Sequence, residues 1–144
     1  TTTAMMLDYL LDDSVTYVTD GVAHAQRLVK KGMKVILLGG ELKASTEAVI
    51  GTQAVQMLMN YHFTKGFFGT NGITKKTGFT TPDINEAAVK SMAMEQCKEC
   101  YIVTDASKFD LISPVSFSTF YSGTILTDRI VSGYEGMQHI VKVP

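Results

Sequence analysis

Residues 69–92 read GTNGITKKTGFTTPDINEAAVKSM, and how this stretch is read decides what can surround it. Its first half is punctuated by Gly69, Gly72 and Gly78, and Asn71-Gly72 is a dipeptide that favours tight turns with positive φ. That pattern predicts an irregular loop. Pro82 and Asp83 stop it, and Asp83 or Asn85 is placed to cap a helix beginning at Glu86. A short oxygen-bearing side chain there accepts the unpaired N–H groups of the first turn. The helix predicted over 86–98 turns Ala87, Val89, Met92, Ala93 and Cys97 inward. A loop of this length in a compact domain is either a solvated Ω-loop or a binding element. Its threonines, lysines, Asn71, Asp83 and Glu86 carry donors and acceptors suited to a small polar ligand.

Outward from this stretch the chain alternates. Residues 63–69 read as a strand entering the loop, and YIVT at 101–104 is a buried strand leaving the helix. Upstream, apolar residues at helical spacing (Ala4, Met5, Leu7, Leu10, Leu11) predict an opening helix that a threonine can cap. VTYV at 15–18 is a short β-branched strand. A helix follows over 22–31, with Gly32 as its left-handed stop. KVILL at 34–38 is a continuous apolar run, expected of a strand covered on both faces. Gly39-Gly40 ends it, and a polar segment leads to a helix predicted over 48–60. Downstream, GTILT at 123–127 is a strand, with a short one expected at 140–143. Strand–helix alternation of this kind predicts one α/β domain, three-layered, with a mostly parallel sheet between helices.

In such sheets ligands gather at the carboxyl ends of the strands. Thr19-Asp20, Gly39-Gly40, Thr70-Asn71-Gly72, 105–108 and Thr127-Asp128 each follow a predicted strand, so parallel strands would crowd these corners along one edge as a pocket. Several classes are excluded on composition. Lys+Arg 13 against Asp+Glu 14 leaves net −1 with no basic run, which argues against nucleic-acid binding by this segment itself. No apolar stretch is long enough to span a bilayer and no signal peptide is evident, so a cytoplasmic protein without membrane contact is expected. No G-x-G-x-x-G or P-loop motif occurs. Cys97-x-x-Cys100 is a single pair that cannot complete a zinc site, and core packing is its expected role. His24, His62 and His139 show no ligand spacing, so no metal and no cofactor is expected. Lys75-Lys76 is a solvated loop tip or a lid over a ligand.

A phosphate suits what remains. Thr1, Thr2 and Thr3 offer hydroxyls and unpaired N–H groups at the positive end of a helix dipole, and Lys108, just past a strand, supplies the countercharge.

At this point GGEL at 39–42, GTNGI and GFTTPDINEA between 69 and 87, IVTDASKF at 102–109 and ILTD at 125–128 together resemble a known family. Their order and spacing are similar to the effector-binding domain of the DeoR-type bacterial transcriptional repressors, over most of the chain and more weakly after Asp128. The resemblance implies the fold of ribose-5-phosphate isomerase, glucosamine-6-phosphate deaminase and the CoA-transferases. It further implies binding, without conversion, of a phosphorylated sugar or related metabolite as inducer. Residue by residue, it carries the threonine-rich phosphate loop onto Thr1, Thr2 and Thr3, the glycine pair onto Gly39 and Gly40, and the acidic helix start onto Asp83, Asn85 and Glu86. The phosphate-side lysine falls on Lys108, and Asn71-Gly72 lies within the long central motif. The family's usual Thr-Asn after the second strand stands here as Thr19-Asp20, a departure at that polar contact.

Members carry a winged helix-turn-helix domain upstream, followed by a connecting strand. The resemblance therefore implies an N-terminally truncated sensor over 1–144, with operator DNA contacted only through the absent domain and a gap where the strand belongs. A homo-oligomer, dimer or tetramer, is expected of a protein reading palindromic operators. The rival reading is a sugar-phosphate isomerase or deaminase of the same fold, with Glu86 or Asp83 as base. The pattern around the base of the true isomerases is not reproduced at 69–86, so no catalytic residue is assigned.

Overall fold

The computed structural model describes residues 2–144. The chain opens with a short helix α1 (Thr2–Met6), which tightens into a 3-10 turn over Leu7–Tyr9. β1 (Thr16–Thr19) and β2 (Lys34–Leu37) pair in parallel, joined by helix α2 (Val22–Lys30). α2 buries Ala25 and Leu28, which lie three apart on one face. The opening turn packs Leu7 against Leu28 and Met33. Lys31 Nζ donates to the carbonyls of Leu7 (2.8 Å) and Leu10 (2.6 Å), tying the two segments together. The apolar run at 34–38 predicts a strand covered on both faces, but β2 is an outer strand. Among the described residues only β1 pairs with it, and Lys34 and Leu37 are exposed. Apolar side chains permit burial; they do not supply a neighbour.

The segment after β2 also departs from its sequence reading. β3 (Glu41–Lys43) and β4 (Ala48–Ile50) form an antiparallel hairpin, and the helix expected from residue 48 starts only at Thr52, as α3 (Thr52–Leu58). Val49 and Ile50 are buried as strand residues, a conformation that β-branched side chains favour. The loop expected ahead of Pro82 is more regular than its glycines suggest. After β5 (Phe63–Phe68), β6 (Gly72–Thr74) and β7 (Gly78–Thr81) pair in antiparallel fashion. Helix α4 (Ile84–Glu95) starts at the expected cap, and Asp83 accepts from the N–H groups of Asn85 (2.6 Å) and Glu86 (3.3 Å). β8 (Cys97–Val103), a 3-10 turn over Ala106–Lys108, β9 (Val115–Ser118), β10 (Thr124–Thr127) and β11 (Ile140–Lys142) complete the order.

The parallel sheet has the spatial order β11-β10-β8-β5, the α/β arrangement the alternation predicts. A second, antiparallel sheet, β6-β7-β9, lies over it. Ile73, Phe79, Phe117 and Phe120 from the small sheet and its flanks share one buried cluster with Ile102 and Ile125 of the large one. Helix α4 packs on β9 and α3, and Val89 joins Leu38, Val49, Ala54 and Leu58 in a second cluster. Among the described residues no ladder joins β1 to β5, and the two strands border a cleft.

Candidate functional site

Every residue of β1 and of β5 lines this cleft, whose volume is about 1100 Å³. Its lining is divided by chemistry. Leu28, Leu38, Leu58, Phe63, Val89 and Ala93 make one part apolar. The carboxyl ends of the strands make the other part polar, with Asp20 after β1, Asn71 after β5 and Lys108 after β8. Thr2 and Thr3 of α1 and Glu86 and Lys90 of α4 complete it. The charged side chains on the walls are three lysines (Lys65, Lys90, Lys108) against two carboxylates (Asp20, Glu86). That balance suits an anion that also carries hydroxyls.

Lys108 is presented by a well-braced turn. Asp105 caps it, accepting from the Ser107 N–H at 2.8 Å and from the Ser107 hydroxyl. These bonds, the hydroxyl's first, hold the Asp105 carboxyl below the usual carboxylate range. Asp128 accepts from the Ala106 N–H at 2.7 Å, and Ala106 and Phe109 are buried on either side. With its backbone fixed, Lys108 lines the cleft, and its side chain has no hydrogen-bond or ion-pair partner among the described residues.

The β5 exit is equally constrained. Asn71 N–H donates to the Thr80 carbonyl (3.0 Å), and Thr81 donates its hydroxyl to Asn71 Oδ1 (3.3 Å). Thr3 Oγ1 lies 3.3 Å from where a Cβ on residue 69 would stand, so glycine there lets α1 approach the loop. Lys90, absent from the sequence-predicted set, donates to the Gly69 carbonyl at 2.9 Å and sits 5.0 Å from the Phe117 ring centre. Burial pushes its amine down, opposed by Asp20 and Glu86. The Asp20 carboxyl is pushed up by burial, against the pull of Lys90. Spacing held a clue to Lys90, which is four residues after Glu86 and so on the same helical face.

Glu86 enters the cleft wall with its carboxylate already engaged. Thr46 donates to it at 3.0 Å and Lys43, from β3, at 3.4 Å. Lys43 also pairs with Asp83 at 2.7 Å, and that contact is the main cause lowering the Asp83 carboxyl below its usual range. The β3–β4 hairpin, invisible to the sequence reading, thus clasps the start of α4.

Of the sequence-predicted residues, the structure brings Thr2, Thr3, Asp20, Asn71, Glu86 and Lys108 around one cavity. Gly39, Gly40, Gly72 and Asp83 do not line it. Gly72 is buried where a Cβ would come within 2.3 Å of the Leu111 carbonyl oxygen, so close packing accounts for it. Asn85 is exposed and borders a separate depression with Gly51, Thr52, Val55 and Ala88. Thr1 lies outside the described residues. Lys75 and Lys76 are exposed, as a solvated tip would be, and Lys75 is anchored there, donating to the Gly133 carbonyl (2.7 Å) and lying over the Tyr134 ring. The Cys97 thiol donates to the Ala93 carbonyl (3.1 Å), and burial pushes it up to about 12, a packing residue's behaviour. Among the described residues no group of three or more His, Cys, Asp or Glu is placed to hold a metal ion, and no helix is long and apolar enough to cross a membrane.

A parallel α/β sheet with a polar pocket at its strand ends and lysines on the walls is an architecture in which small-molecule sites are commonly built. The family of DeoR C-terminal sensor domains matches residues 1–129, and the chain belongs to it. It is 41% identical over 128 residues to "Uncharacterized HTH-type transcriptional regulator FruR" of Bacillus subtilis (strain 168), covering 88% of this chain and 51% of the relative. It is 32% identical over 136 residues to a "Lactose phosphotransferase system repressor" of Staphylococcus epidermidis, covering 90% and 53%. Over 108 residues it is 32% identical to "HTH-type transcriptional regulator GlpR" of Haloferax volcanii, covering 75% and 42%. These relatives are named as transcriptional regulators, not as enzymes. The chain spans about half the length of the first of them.

Proposed function

We propose that this domain senses a phosphorylated sugar and reports it to a DNA-binding domain in the longer regulatory protein. The observation that carries this reading is Lys108, which has no hydrogen-bond or ion-pair partner among the described residues and stands on a hydrogen-bonded turn lining the cleft with Thr2 and Thr3. A phosphate would take the Lys108 ammonium and the threonine hydroxyls, while Asn71 and Glu86 read hydroxyls along the carbon chain. The printed names of relatives, a lactose phosphotransferase repressor and a "Putative aga operon transcriptional repressor", agree with control of sugar use. On this reading the apolar part of the cleft, between the unpaired edges of β1 and β5, receives a further strand of the longer protein. The assembly is a homo-oligomer, dimer or tetramer, whose quaternary balance the ligand shifts by its differential affinity. A coupling of about 1–3 kcal/mol is typical of such switches.

The engaged state of the carboxylates favours sensing over catalysis. The two candidate bases are already engaged, Asp83 by Lys43 and Glu86 by Lys43 and Thr46, which makes each a weaker proton acceptor. The test is a thermal-shift panel of triose, pentose and hexose phosphates, followed by calorimetry on the best ligand. Replacing Lys108 with alanine removes a charge-assisted bond of about 1.5–3 kcal/mol and is expected to weaken binding roughly 10- to 150-fold. Unchanged affinity, or turnover of the sugar phosphate, would refute the reading.

A further inference from the structure

Lys90 and Asp20 share one wall region of the cleft, yet they do not touch. The ion pairs among the described residues are Arg27–Asp8, Lys43–Asp83 and Lys43–Glu86, so no carboxylate lies within 4.0 Å of Lys90 Nζ. The ammonium has three N–H donors, and among the described residues one of them is taken up, at Gly69. Among the described residues the Asp20 side chain makes no hydrogen bond to another residue, although its backbone is fixed by Val49 N–H donating to its carbonyl at 2.7 Å. Opposite charges partly withdrawn from water normally close on each other or on a third group that satisfies both. Here Gly69 and Phe117 engage Lys90 from α4, and the β4 contact fixes the Asp20 backbone after β1, so the two side chains stand apart.

We propose that Lys90 and Asp20 are a hydroxyl-reading pair: one C–OH of the bound carbohydrate accepts from the Lys90 ammonium and donates to the Asp20 carboxylate. A hydroxyl is the smallest ligand group that does both at once. Burial pushes the Asp20 carboxyl up and the Lys90 amine down, the direction that a polar partner for both would offset. The pair therefore sets which phosphorylated polyol fits, while Lys108 and the threonines hold the phosphate. A site that hydrogen-bonds a substrate hydroxyl rejects analogues lacking it, because the buried partners are then left unpaired. This rests on the phosphosugar reading given above.

The experiment uses the full-length regulator and measures two probes, the tightest-binding sugar phosphate of the panel and inorganic phosphate, by calorimetry and by displacement. Lys90→Met and Asp20→Asn are expected to weaken the sugar phosphate about 10- to 100-fold, the range for a lost charge-assisted bond, while inorganic phosphate changes less than about twofold. Lys108→Ala is expected to weaken both probes. Equal losses for both probes in Lys90→Met and Asp20→Asn would make the pair a structural tether and overturn the proposal, as would affinities within about twofold of wild type. Should Lys90→Met fail to fold, Asp20→Asn, which preserves shape, decides alone. If wild type binds neither probe, the phosphosugar reading itself is refuted and this inference falls with it.

Discussion

Alanine at Gly78 tests whether the antiparallel sheet that frames the β5 exit is held where the structure places it. Gly78 has φ +71°, a conformation that an L side chain adopts only at a cost of about 1–2 kcal/mol. A Cβ there would stand 2.1 Å from the Ser118 carbonyl oxygen and 3.0 Å from Thr119 Cα, both backbone atoms that no rotamer change can clear. Relief requires β9 to move off β7, an overpacking strain of about 1–3 kcal/mol. The sum is about 2–5 kcal/mol, a large part of the roughly 5–15 kcal/mol that stabilises a domain. Gly32 is the internal control, because its φ is +82° but nothing lies within 4 Å of a Cβ built on it. Gly32→Ala should therefore cost the backbone term alone, about 1–2 kcal/mol. Urea unfolding of both variants gives the comparison directly, and in thermal scans each kcal/mol is worth roughly 2–4 °C for a chain of this size. If Gly78→Ala is no more destabilising than Gly32→Ala, the close β7–β9 approach is refuted.

Other expectations follow from single contacts. Phe79→Ala empties a fully buried site between Phe117 and Phe120 and should cost about 3–5 kcal/mol in urea unfolding. Asp20→Asn should stabilise the unliganded chain at pH 7. The folded-state pKa of Asp20 is raised above its unfolded value, so ionising it costs the folded form, a cost absent below the unfolded pKa and complete above the folded one. The gain in urea midpoint should therefore vanish as pH falls below about 3.9, and a gain that persists there would contradict the assignment. His24 has the opposite consequence, since burial lowers its pKa in the folded chain. Its neutral form's contribution is complete above about 6.5 and is lost as pH falls through the folded value, visible as a falling urea midpoint that His24→Gln flattens. Cys97, pushed up to about 12, should resist iodoacetamide at pH 8 in the native chain and react on unfolding, as peptide mass spectrometry would show.

Much of the cleft's polar lining was legible because those residues sit at breaks in periodicity. Asp83 announced itself as a cap by its place before an apolar helix, and it does cap α4. Lys108 and Asp20 follow apolar strands, and in a parallel sheet the ends of such strands share one edge. Asp83 and Asn85 were read as site residues alongside Glu86, yet a helix start spreads consecutive side chains around its axis. Only Glu86 of the three faces the cleft, while Lys90, one turn further on, returns to the same face. The β3–β4 hairpin escaped notice because Ala48-Val49-Ile50 is too short a run for helix and strand periods to differ.

Local chemistry in the chain settled the α/β class, the strands that pair in parallel, the cap of α4 and the polarity of the strand ends. These depend on propensities and periods within a few residues. What required the folded chain were the partners: that β2 is an outer strand, that Lys43 spends itself on Asp83 and Glu86, that Gly72 serves Leu111, and that Lys90 and Asp20 face one space without meeting. Each of these is a distance between residues far apart along the chain, and such distances are set by packing, which no local pattern encodes.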